Sequence, residues 1–242
     1  MDRKDKVWQT AAVAKAFLSG VRTAIPLAAE QLDVMLRVIQ VARPQVEHFL
    51  DLGCGDGVLG RAILEKYPQA EGVLLDFSEP MLQAARDKSE PYLDQLEFVI
   101  EDFGKPEWVD LVQAKGFFDV VVSGFAIHHQ PDQRKKEIYQ EIYRLLQPGG
   151  VFLNLEHVSS SSQLGEKVHD ALVIDYLYDF HQRHGGQSRD EIAQTYDHRA
   201  DKAANILAPV EAQCDWLRKS GFIHVDCFMK VFELALFGGV RP

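Results

Sequence analysis

The stretch Phe49-Leu50-Asp51-Leu52-Gly53-Cys54-Gly55-Asp56-Gly57-Val58-Leu59-Gly60 runs an apolar segment into an acid and then into three glycines on alternate positions. A helical pattern begins directly afterwards. Gly53, Gly55 and Gly57 carry no Cβ, so the chain can turn sharply and a ligand can lie against bare backbone. The first N–H groups of the following helix have no partner inside it and point at that ligand. The stretch therefore predicts a strand, a tight turn and a helix start, shaped for a nucleotide-like molecule.

Outward from this stretch, strand and helix patterns alternate. Val46 to Leu52 reads as the first strand, Val58 to Tyr67 as a helix, Gly72 to Leu75 as the second strand and Pro80 to Lys88 as a helix. Leu96 to Ile100 is the third strand. Phe117 to Ser123 is a fourth, too apolar to have a wet face and so buried in a parallel sheet. Lys135 to Leu146 is a helix, Pro148-Gly149-Gly150 a stop and turn, and Val151 to Leu155 the fifth strand. A helix over Val210 to Ser220 precedes two strands, Ile223 to Phe228 and Val231 to Phe237, antiparallel to each other. The pattern predicts an α/β fold with a doubly wound, mostly parallel seven-stranded sheet, a C-terminal antiparallel strand pair and a helical cap.

Two segments interrupt the alternation. Before residue 45, a helix over Trp8 to Ser19 ends at Gly20, and a second after Pro26 carries Leu32, Met35, Leu36 and Ile39 at helical spacing. From Val158 to Pro209 a long helical pattern runs to His184, with Leu164, Val168, Ala171, Leu172, Asp175 and Tyr178 on one stripe. Gly185-Gly186 then breaks it before a second helix, Ser188 to Tyr196. The expected organisation is an N-terminal helical lid (1–44), a cofactor-binding core (45–157), a helical insertion over the ligand crevice (158–209) and a closing helix and strand pair (210–242).

Composition narrows the function. Of the 242 residues, 46% are hydrophobic, which argues for a packed core and against disorder. A formal charge of -10 disfavours a nucleic-acid partner, which needs a basic footprint. The three cysteines lack CxxC spacing and are odd in number, as in reduced thiols of a cytoplasmic chain. No apolar run is long enough to span a membrane. A homodimer through the terminal strands or N-terminal helices stays open.

The glycines alone match a dinucleotide fingerprint, Gly55-x-Gly57-x-x-Gly60, and Asp76 after the second strand suits a ribose. NAD(H) and an adenosyl ligand fit equally to this point. Asp51 separates them: a carboxylate there repels a pyrophosphate and suits a ligand with a cationic amino group. On Asp51-Leu52-Gly53-Cys54-Gly55-Asp56-Gly57, Asp76, Glu101-Asp102-Phe103, Phe118-Asp119-Val120-Val121-Val122-Ser123, Arg144-Leu145-Leu146-Gln147-Pro148-Gly149-Gly150 and Trp216 to Phe222, the chain resembles the class I S-adenosylmethionine-dependent methyltransferases. The resemblance implies S-adenosylmethionine as cofactor and S-adenosylhomocysteine as product. It implies contacts from Asp51, Gly53, Cys54 and Gly55 near the methionine part, and from Asp76 and Phe77 at the ribose. Asp102 and Phe103 would meet the adenine, and Ser123 and Gly124 the sulfonium.

Methyl transfer needs an aligned nucleophile above all, and a base only for some acceptors. The candidates for catalysis are His128, His129, Glu156 and His157, after strands four and five; packing of the loop is the competing role for the histidines. No metal is expected, because these residues offer no i, i+4 histidine pair on a helix face. Tyr176, Tyr178, Phe180 and His181 fall where a small-molecule acceptor would be recognised, although an aromatic stripe also suits a core. Asp179-Phe180-His181-Gln182-Arg183 and the segments after it also look like the carboxy-S-adenosylmethionine synthase branch, which acts in wobble-uridine modification. That branch needs a cation for the extra carboxylate, for which Arg183 or Arg199 is available. A binding module without turnover is the remaining alternative.

Overall fold

The structure is a computed structural model that describes residues 4–10, 13–14, 18, 25–184, 186–198 and 202–242. Seven strands form one sheet: β1 (His48–Leu52), β2 (Glu71–Asp76), β3 (Leu96–Ile100), β4 (Phe118–Gly124), β5 (Leu146–His157), β6 (Ile223–Val231) and β7 (Leu234–Val240). Their order is β3-β2-β1-β4-β5-β7-β6, parallel throughout except that β7 runs antiparallel to both neighbours. This is the doubly wound, seven-stranded architecture expected.

Strand parity divides the core. Leu50, Leu52, Val73, Leu75, Val121 and Phe152 bury one face of the sheet under α4 (Trp108–Gln113), α5 (Asp132–Leu145) and α8 (Val210–Lys219). Phe49, Leu74, Val120, Val122, Val151 and Leu153 bury the other under α1 (Ala28–Ala42), α2 (Val58–Lys66) and α3 (Glu79–Lys88). Alternation of side chains along each strand, buried on both faces, gives the continuous apolar runs. The two remaining helices, α6 (Gln163–His184) and α7 (Arg189–Asp197), form the insertion and share a small core of Ile174, Leu177, Ile192 and Tyr196.

Several expectations change. The helix expected over Trp8 to Ser19 lies largely outside the described residues, and Lys4–Gln9 is a 3₁₀ helix. Helix α1 packs on the sheet: Met35 and Ile39 are fully buried against β5 and β7 residues, because its apolar stripe meets the sheet. Pro148-Gly149-Gly150 does not end a turn before β5 but lies inside it. The register jumps from Phe118↔Leu146 to Val120↔Val151, and the extra residues form a bulge where a proline without an N–H is tolerated. The final hairpin turns at Phe232-Glu233, with Phe232 in a left-handed conformation (φ 52). The stripe assigned to α6 faces the wrong way: Leu164 is 72% exposed, whereas His169, Ile174 and Leu177 are buried. The insertion closes on itself at its base, where Ser159 N–H donates to Ala208 O at 3.1 Å.

Candidate cofactor and acceptor site

The carboxyl ends of β1 to β5 open into one cavity, of about 1290 Å³ when the space at its mouth is counted. Its far walls come from α6 and α7 through Val173, Leu177 and Tyr196, and from the N-terminal segment through Asp5, Trp8, Ile25 and Pro26. The segment is tied down by Ser78 Oγ donating to Trp8 O (2.7 Å), Gln9 Nε2 donating to Phe77 O (3.3 Å) and Gln130 Nε2 donating to Asp5 Oδ2 (3.3 Å).

One half of the cavity is backbone and acid. Gly53 sits at φ +70, and a Cβ there would lie 2.4 Å from Ala126 Cβ and 3.1 Å from the Phe103 ring. Gly55, Phe77, Asp102, Phe103 and Gly124 line the same trench. Asp76 accepts from Gly55 N–H and Ser78 N–H, both at 2.8 Å. Burial pushes its carboxyl up to about 6, against the pull of these N–H groups and that of Phe77. A carboxylate held in a dry wall with donors on one side is suited to accept hydroxyl donors from the other. Read across the sheet from β3 to β4, Asp102, Asp76, Gly53 and Gly124 line the trench in that order. The trench thus fits S-adenosylmethionine.

Three expected contacts lie behind the wall. Asp51 shares the strand parity of Phe49, so it points under α2, is fully buried and accepts from Gly60 N–H at 3.0 Å. It satisfies the first turn of α2 from within and does not line the cavity. Ser123 is also fully buried and donates to Leu52 O at 2.8 Å, and Cys54 is buried with its thiol pushed up by burial. Residues not anticipated along the trench are Ser78, Met81, Phe125 and Ala126. Phe125 has φ 53, a strained choice for a non-glycine residue, directly beside the cofactor end.

The other half is imidazole. His128 Nδ1 lies 2.5 Å from Glu156 Oε1, and both side chains are buried. Burial lowers His128 well below its ordinary range, helped by His157 and Lys135, and raises Glu156 above the carboxylate range. His129 lies tilted against His128 (centroids 4.0 Å, interplanar 52°) with Nδ1 3.3 Å from Ala204 O, and burial pushes it down to about 3. His157 Nε2 lies 2.8 Å from Glu233 Oε2, and its ring is 5.0 Å from that of His169. Burial acts to raise Glu233, but hydrogen bonds from His157 and Ser160 hold it down at about 2. The four predicted catalytic residues are thus together, with His128, His129 and His157 on the cavity wall and Glu156 behind His128. Tyr176, Tyr178, Phe180 and His181 do not line the cavity. His169, Asn205 and Tyr196 do, and sequence spacing gave no sign of them.

A sheet in this order, with a glycine turn and a buried acid at its carboxyl edge, defines the Rossmann-like methyltransferase fold. Residues 49–150 match the family model described as "Methyltransferase domain". The matches support a class I S-adenosylmethionine-dependent methyltransferase, with S-adenosylmethionine as cofactor. Similar curated proteins include a carboxy-S-adenosyl-L-methionine synthase of Nautilia profundicola, 23% identical over 227 residues (93% of this chain, 90% of the relative). Another is a trans-aconitate 2-methyltransferase of Acidovorax sp., 28% identical over 181 residues (73% and 61%). Among solved structures, an O-methyltransferase family protein of Burkholderia thailandensis superposes with a TM-score of 0.68 at 19% identity. It covers 99% of this chain, which spans 63% of that one. A structure titled "PigF with SAH" has a TM-score of 0.63 at 19% identity (99% and 62%). At these identities the structural likeness bears on the fold alone. No helix among the described residues is long and apolar enough to cross a membrane.

Proposed function

We propose that the chain methylates a small-molecule acceptor held between the His128–His157 wall and the cap, with His128 as general base. The observation that carries this reading is the His128–Glu156 pair at the sulfonium end of the trench. The cofactor supplies an electrophilic methyl group. His128, with Nδ1 toward Glu156, keeps Nε2 to take a proton from the acceptor, and Glu156 steadies the imidazolium that forms. His129 Nδ1 lies 3.3 Å from the Ala204 carbonyl, and burial keeps the ring neutral in the wall. Val173, Leu177 and Tyr196 exclude water from the acceptor side. Gly53, Gly55, Asp76, Asp102 and Phe103 hold the cofactor.

A second reading, synthesis of carboxy-S-adenosylmethionine, is favoured by the printed names of the relatives that align over most of this chain. It needs a cation facing the sulfonium. The described cavity lining contains no arginine or lysine, Arg183 is exposed and Arg199 lies outside the described residues. The methyl-transfer reading therefore ranks first. Mass spectrometry of the ligand that copurifies, followed by incubation with S-adenosylmethionine and a panel of small hydroxyl, amine and carboxylate acceptors, tests the choice. Methylated product with S-adenosylhomocysteine supports it; bound carboxy-S-adenosylmethionine without methylated product replaces it with the second reading.

A further inference from the structure

The His128–Glu156 pair leaves a second cluster unexplained. His157 ends β5, Glu233 sits in the β6–β7 turn and His169 lies on α6, so three distant elements converge. One donor atom from each lies within 4.8 Å of the others. His157 Nε2 is 2.8 Å and His169 Nε2 4.0 Å from the same oxygen, Glu233 Oε2. His169 is 2% exposed, and its Nδ1 is enclosed with no hydrogen-bond partner among the described residues. The nitrogen that faces Glu233 is Nε2, 4.0 Å from Oε2 and so beyond hydrogen-bond reach, and a buried imidazole stands beside a carboxylate that it does not contact.

We propose that His157, His169 and Glu233 form a site for a divalent first-row transition-metal ion, with open positions turned to the acceptor cavity to take the paired oxygens of a chelating acceptor. Two donors each about 2.0–2.2 Å from one ion, near 90–110° apart, are about 2.8–3.6 Å from each other. The 2.8 Å separation falls at the near edge of that range and the 4.0 Å one just beyond it, with all three donors within 4.8 Å, so side-chain shifts that draw His169 inward complete the triad. Two imidazoles and one carboxylate form a donor set for zinc, iron or manganese that leaves coordination positions open. The supporting contacts are present. Glu233 Oε1 accepts from Ser160 N–H at 3.2 Å, which directs Oε2 at the imidazoles. The Asn205 amide nitrogen lies 3.5 Å from His157 Nδ1, on the side of the ring away from Glu233. His157 and His169 line the cavity, so the open positions face the same space as His128. A proton relay through the three groups is less suited, because the 4.0 Å gap at His169 breaks the chain that an ion would close.

The metal site stands on its own residues, whereas the chelating acceptor rests on the methyl-transfer reading. The test uses the full chain, stripped with a chelator and titrated with Co²⁺ followed by its visible d–d absorption, then with Zn²⁺ in competition. The expectation is one ion per chain, and loss of Co²⁺ affinity by more than about 100-fold in both His169→Ala and Glu233→Gln, beyond what a lost outer partner costs. Unchanged S-adenosylhomocysteine affinity in both variants shows that they are folded. It also separates failure of the metal site from failure of the cofactor assignment, which would abolish that affinity in the unaltered chain. Catechol added to the Co²⁺-loaded protein should shift the spectrum. No stoichiometric binding of either metal, or equal binding by both variants, overturns the site; an unmoved spectrum with catechol overturns its role in holding the acceptor.

Discussion

The two halves of the cavity are built by different means. The cofactor half consists of turns that follow single strands, and its contacts are backbone and short acids: Gly53, Gly55, Asp76, Asp102 and Gly124. The other half, where we propose the acceptor to bind, is assembled from side chains of β5, α6, the loop after β4 and the segment after α7, with His128, His157, His169 and Asn205 on separate elements. A site made by local turns tolerates little variation, because the backbone itself is the wall. A site made by side chains from separate elements can change its chemistry one residue at a time. One fold can therefore keep its cofactor and exchange its acceptor.

Substitutions that affect only one half put this division to the test. The largest effect belongs to His128→Ala. It should lower turnover of whichever acceptor the screen yields by about 10²–10⁴-fold while leaving S-adenosylhomocysteine affinity within about twofold. A matching loss of affinity would mean that the two halves are one site. Gly53→Ala should do the reverse. Overpacking against Ala126 together with left-handed strain costs about 2–5 kcal/mol, seen as a lower denaturant midpoint and loss of calorimetric binding. Asp76→Asn should weaken the adenosyl ligand by about 1.5–3 kcal/mol, and an unchanged isotherm would remove Asp76 from the ribose site.

Smaller effects sharpen the picture. Asp76 stands at about 6 in the free protein, raised above the ordinary carboxylate value chiefly by burial. Hydroxyl donors stabilise its ionised form, so below pH 6 binding must expel a proton. S-adenosylhomocysteine affinity should fall by up to about tenfold per pH unit there and be flat above pH 7, as read by titrations in buffers of different ionisation enthalpy. The same raised value makes the folded chain bind the proton more tightly than the unfolded one. Its contribution to stability is therefore present at low pH and is lost as pH rises through about 6. The smallest effect is expected from Ser123→Ala, which removes the hydrogen bond to Leu52 O. It should cost about 0.5–1.5 kcal/mol of stability and leave ligand affinity unchanged, marking Ser123 as wall and not contact.

How much was legible in the sequence follows the same division. Gly53, Gly55 and Asp76 could be read because strand, turn and helix are consecutive and glycine has a specific conformational use. The motif suggests Asp51 as a ligand contact, yet its parity with Phe49 turns it under α2. By occupying the N–H of Gly60 it disfavours a phosphate at that helix start from inside the wall. The β6–β7 turn was misplaced by a few residues because Phe232-Glu233 contains none of the usual turn residues, and this concealed Glu233. His169 was invisible because a polar residue on the buried face of α6 spoils the helical stripe, so the reading settled on the exposed side of Leu164 and Val168. Tertiary convergence of three elements leaves no spacing to recognise.

The hydrogen bond from Ser159 to Ala208 has a consequence for how such a chain could diversify. Both ends of the insertion leave and re-enter the sheet at one point, so everything between them forms a plug in a single socket. A cap of another length or helix count, grafted between these two residues, would inherit the same trench and the same cofactor without asking any strand to move.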